Sequence, residues 1–87
     1  MNYWEDLRDY VGLMIEARPN GSADVIMLLE KIWIDKPHKQ DMKVELYGMD
    51  ETGDHLWYGR FPLSDMHVVS KDDVPLALRP YDKRYKT

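Results

Sequence analysis

The stretch from Ala23 to Ile34 is apolar at nearly every position, and a chain of only 87 residues has to bury both of its sides. Arg18-Pro19-Asn20-Gly21-Ser22 stands immediately before it. Pro19 fixes φ, and Asn20-Gly21 supplies the positive φ values of a tight hairpin turn. The run itself contains Val25, Ile26, Ile32, Trp33 and Ile34, the β-branched and aromatic types that suit a pleated surface. Together these features predict a long, bent strand buried on both faces. The alternative is a helix capped by Ser22, because Val25, Leu28, Leu29 and Ile32 also fall on one helical stripe. The fold would then be α+β, with residues 23–34 helical.

Other segments read as strands around this run. Val11, Leu13, Ile15 and Ala17 alternate within Tyr10 to Arg18, and Gly12 disfavours a helix there by about 1 kcal/mol relative to Ala. Met42, Val44 and Leu46 alternate with Lys43, Glu45 and Tyr47, the pattern of a half-buried strand. The turn Asp50-Glu51-Thr52-Gly53-Asp54 then sends His55 to Phe61 back as its partner. Pro62 has no N–H for a ladder, so that strand ends or lies on an edge there. Leu63-Ser64-Asp65 reads as a one-turn connector, and Met66 to Val69 as a last short strand. Asn2 and Glu5 match a capping-box spacing and predict a short N-terminal helix from about Tyr3 to Asp9. Beyond Asp73, Pro75, Pro80 and rising charge predict an extended tail, in which Val74, Leu76 and Leu78 alternate so that the first half lies against the body while the end frays. The expected organisation is one β-rich domain over residues 1–73 and a basic C-terminal tail over 74–87.

Five short strands in meander order, closing on Trp57-Tyr58-Gly59-Arg60-Phe61-Pro62-Leu63-Ser64-Asp65-Met66-His67-Val68-Val69, resemble the SH3-like small barrels at the level of fold. The resemblance covers about residues 10–69 and implies a mainly β, five-stranded antiparallel barrel. Such barrels host peptide binders, readers of modified side chains, RNA-associated modules and accessory subunits, so the fold does not choose among them. The acidic and aromatic signature loops of proline-peptide binders are absent here.

Charge narrows the classes further. Residues 1–78 carry 8 Lys/Arg against 15 Asp/Glu, whereas residues 79–87 carry 4 against 1. An acidic body repels nucleic acid at long range. The absence of cysteine removes thiolate chemistry, iron–sulfur clusters and disulfides, and fits a reducing compartment. No apolar run reaches a membrane-span length, and the acidic start Met1-Asn2-Tyr3-Trp4-Glu5-Asp6 is unlike a signal peptide. A cytoplasmic location is the expectation.

Chemistry-bearing residues are few. His38, His55 and His67 show no metal-ligand spacing, and no phosphate-cradling glycine motif or nucleophile setting occurs. The reading is a non-enzyme without metal or cofactor. Tyr47, Trp57 and Phe61 fall on alternate positions of adjacent strands; either Trp57 and Phe61 belong to the core with Tyr47 covering them, or the three, with Trp4 and the acidic turn residues Asp50, Glu51 and Asp54, form an exposed protein-binding patch. In the tail, Arg79, Lys83, Arg84 and Lys86 interleave with Tyr81 and Tyr85 as candidate contacts to an acidic partner, a second copy or single-stranded nucleic acid. The leading expectation is a non-catalytic protein-binding module, an accessory subunit or a small inhibitor such as a phage encodes. The alternative is nucleic-acid association through the tail, or mimicry of nucleic acid by the acidic body.

Overall fold

The computed structural model describes residues 7–19, 23–35 and 43–85. Among these residues four strands arise, β1 (Met14–Pro19), β2 (Val25–Asp35), β3 (Lys43–Met49) and β4 (His55–Val68), all in one antiparallel sheet. β1 pairs with β2, β2 with β3, β3 with β4, and β4 returns to β1, so the cycle of pairings closes. The apolar run is extended, as expected, and the helical alternative for residues 23–34 is overturned.

The last two of the five expected strands are continuous, because β4 serves as two. It runs for 14 residues, through both Pro62 and the anticipated connector Leu63-Ser64-Asp65. Its first half pairs with β3 as far as Lys43 opposite Pro62, and its second half pairs with β1 from Leu63 opposite Pro19. Pro62 therefore stands where one ladder ends and the next begins, a position at which a missing N–H costs no ladder bond. The first strand is also shorter than expected. Leu7 and Arg8 are helical, Asp9 to Gly12 form a turn, and pairing starts only at Met14. Residues 3–6 of the predicted N-terminal helix and the Asn20-Gly21 turn lie outside the described residues, and Asp9, expected to end that helix, is in the turn.

The apolar residues of β2 divide between two cores. Met27 and Leu29 face inward with Ile15, Ala17, Val44, Leu46 and Met66, and Leu7 joins them from the N-terminal side. Leu28 faces the other way, where it packs with Met14 and Met49 under Val74 and Leu78. Each such side chain, fully removed from water, contributes about 1.5–3 kcal/mol. The second face is covered because the C-terminal segment folds back on it. This corrects the expected extended tail: residues 71–85 form short 3-10 turns at Lys71–Asp73, Leu76–Tyr81 and Lys83–Tyr85. We refer to them as the strap.

Asp82 anchors the strap. Its side chain is fully buried, and its carboxylate accepts hydrogen bonds from the Met14 backbone N–H at 3.1 Å, the Arg84 backbone N–H at 2.9 Å, and Arg84 Nε and Nη2 at 3.0 and 2.9 Å. Met14 begins β1, so one carboxylate joins the two ends of the fold. Beside it, the Lys83 N–H donates to the Gly12 carbonyl at 2.8 Å, and Lys83 Nζ donates to the Asp9 carbonyl at 2.9 Å. Burial pushes the Asp82 carboxyl up, but the Arg84 guanidinium and the backbone N–H groups of Arg84 and Met14 outweigh it and hold the group below the usual carboxylate range.

Two register breaks set which side chains face outward, one between Leu29 and Lys31 of β2 and one between Val44 and Leu46 of β3. At the first, the β2 backbone presses onto Gly48. A Cβ there would overlap the Leu28 carbonyl oxygen and stand 3.0 Å from Met27 Sδ.

Two outcomes follow from this packing. Gly48→Ala forces the β2 backbone away and lowers stability by about 1–3 kcal/mol, read from the urea midpoint. Asp82→Asn lowers stability near neutral pH by about 1–3 kcal/mol, because donors that served a carboxylate lose their charged acceptor. The wild-type contribution is present above the unfolded carboxyl pKa of about 4 and is lost as pH falls through the depressed folded value. The gap between wild type and Asp82→Asn in urea midpoint therefore narrows on acidification; a gap that stays constant contradicts the assignment.

Candidate protein-binding surface

Along the outer side of β2 the exposed positions after Leu28 are Lys31 and Trp33. Lys31 pairs with Tyr47 and Trp33 with Glu45 on β3, and Tyr47 pairs in turn with Trp57 on β4. Trp33, Tyr47 and Trp57 thus lie on one face of three neighbouring strands. Trp33 is 46% exposed and Trp57 is 61% exposed. Tyr47 is half-buried between them and stacks on the His55 ring, with centroids 5.4 Å apart and planes 15° apart. The Trp57 indole lies over Gly59, where a Cβ would come within 3.0 Å of its Cη2. The absent side chain leaves room for the ring to lie flat along the strand.

Phe61 does not belong to this face. Alternation from Trp57 would place it there, but the break in register sets Tyr58 opposite Leu46 and Phe61 opposite Val44. The extra β4 residue inverts the parity, and Phe61 packs half-buried against the inner core. The acidic turn crowns the same hairpin that carries Tyr47 and Trp57. Asp50 Oδ1 accepts from the Thr52 N–H at 2.9 Å, the Thr52 hydroxyl at 2.6 Å and the Asp54 N–H at 3.0 Å. The Thr52 hydroxyl, helped by those backbone donors, holds the Asp50 carboxyl below its ordinary value. Asp50 is therefore engaged in shaping the turn, while Glu51 and Asp54 are exposed. Trp4 lies outside the described residues. The sequence hides Trp33 because it sits in a run apolar on both sides. The alternation of Lys31, Trp33 and Asp35 with Ile32 and Ile34 was its signal.

The tail residues are largely engaged with the body. Arg79 donates through Nε to the Val74 carbonyl at 3.0 Å and through Nη2 to the Asp72 carbonyl at 3.3 Å. Its guanidinium also lies 5.3 Å from the centre of the Tyr85 ring, and the Lys71 ammonium lies 4.8 Å from the same centre. The Tyr85 hydroxyl donates to the Lys71 carbonyl at 2.5 Å. Lys83 and Arg84 are held as described above. Tyr81 is outward, at 54% exposure, and Lys86 lies outside the described residues.

The two described histidines each meet a carboxylate. His67 Nε2 is 2.9 Å from Glu16 Oε1, and His55 Nε2 is 3.3 Å from Glu30 Oε2. His38 lies outside the described residues. Among the described residues no three His, Asp or Glu side chains converge as a metal site, and no helix is long and apolar enough to cross a membrane.

No protein-family model, no curated protein and no solved structure matches this chain.

Proposed function

We propose that the protein is a non-catalytic binding module of SH3-like small-barrel type, which engages another protein through the outer face of β2, β3 and β4. One observation carries the reading: two tryptophans on a single sheet face stand about half exposed, with Tyr47 between them. Large aromatic side chains left in water retain apolar area that a partner can cover, and Trp and Tyr are the residues that most often dominate interface energies. Lys31, Lys43 and Glu45 border the aromatics and supply a rim of mixed charge suited to a protein partner. The rings rest on paired strands, so little conformational entropy is lost when they are covered. A small accessory subunit or an inhibitor acts in this manner. Nucleic-acid association through the basic tail draws less support, since Arg79, Lys83 and Arg84 already hold the strap in place.

The test is affinity capture from the source organism's lysate at moderate salt, with wild type and the Trp33→Ala/Trp57→Ala variant immobilised side by side. Wild type is expected to retain a stoichiometric protein, and the variant to lose it, since truncating one interface hot spot costs about 2 kcal/mol or more. Both substitutions are on the surface, so the urea midpoints of the two chains should nearly coincide. Equal retention by the variant, or no retained protein at all, defeats the reading.

A further inference from the structure

The strap leaves a second part of the outer face uncovered. On β2 it hides Leu28 but not Ile26, two residues earlier, which stays 38% exposed. A groove of about 390 Å³ opens there, with Met14, Ile26 and Val69 along its floor and Pro75 of the strap in its wall. Glu16, Glu51 and Asp73 stand around this apolar floor. A neighbouring hollow of about 370 Å³ shares Ile26 and Glu51 and is bordered by Asp24 and Asp50. Some of these carboxylates are occupied: Glu16 meets His67, Asp24 accepts from Arg18 Nε at 2.8 Å, and Asp50 holds its turn. The side chains of Glu51 and Asp73 have no hydrogen-bond or ion-pair partner among the described residues. Among the described residues neither hollow is lined by a lysine or an arginine, and the His67 that lines the first is held by Glu16.

We infer that this groove receives a lysine or arginine side chain from an extended basic segment of a partner protein. The aliphatic stem of such a side chain lies along Ile26 and Pro75, and its cationic head meets Glu51 and Asp73 at the rim. The apolar floor separates this site from the acidic surface at large: it rewards a side chain that is greasy along its length and charged at its tip, and does nothing for a small hydrated cation. The kind of partner rests on the protein-binding reading above, but the surface is a different one, on the other side of Leu28 from Trp33 and Trp57.

Fluorescence anisotropy of a labelled peptide of alternating lysine and alanine, titrated with the full chain at low salt, tests the inference. The peptide is expected to bind and its glutamate counterpart is not. Glu51→Lys and Asp73→Lys each weaken binding about tenfold, as does the uncharged change Ile26→Ser. Glu45→Lys, the same charge change on the aromatic side of the molecule, has little effect, and Trp33→Ala/Trp57→Ala leaves the peptide affinity intact even where it abolishes capture of the partner. Loss of binding in Glu45→Lys equal to that in Glu51→Lys, or full binding by Ile26→Ser, shows diffuse attraction to an acidic surface and overturns the site. Absence of binding to wild type overturns it as well.

Discussion

A single buried carboxylate holds together the two ends of this fold. Asp82 draws the start of β1 and the last turn of the strap onto one group, through the Met14 N–H and the doubly donating Arg84 side chain. A carboxylate removed from water is tolerable only when its charge and lone pairs are met, and here four hydrogen bonds meet them. With the strap fixed, Val74 and Leu78 cover Met14, Leu28 and Met49, and the sheet acquires a second buried face. A chain of this length has little core to spare, and this arrangement lets both sides of β2 contribute.

The boundary of the strap then decides what remains for function. Leu28 is covered, Ile26 on one side is left beside a groove rimmed with carboxylates, and Trp33 on the other side joins Tyr47 and Trp57. Register breaks refine the division. The one between Val44 and Leu46 turns Phe61 inward and leaves Trp57 outside, although the two residues share parity in the sequence. The one between Leu29 and Lys31 lets Leu29 and Ile32 both serve the inner core while Lys31 and Trp33 face outward.

The strands and their antiparallel order were legible in the sequence because alternation and turn chemistry are local signals. The β2 segment, Val44 with Leu46, and the turn at Asp50 to Asp54 all follow from them. Three features were not legible, each for a physical reason. Pro62 suggests an end to a strand, yet a strand that changes partners at that residue does not need the N–H that proline lacks. Arg79, Lys83 and Arg84 look like a solvated basic tail, since nothing local reveals that Asp82 among them will be buried against a residue 68 positions away. Phe61 looks outward until the extra residue in β4 is counted. Of the candidate surface, Tyr47 and Trp57 were found from alternation, whereas Trp33 was masked by its apolar neighbours.

The strap is a fixed part of the folded body, and the most direct probe of this is the exchange rate of one backbone proton. Hydrogen–deuterium exchange followed by NMR on the intact chain should find the Met14 amide protected to the same degree as the Leu29 amide, which lies in the inner core and bonds the Leu13 carbonyl. A Met14 amide that exchanges as fast as an exposed turn residue, while Leu29 remains protected, would mean that Asp82 does not hold the strap closed and that the second buried face is not formed.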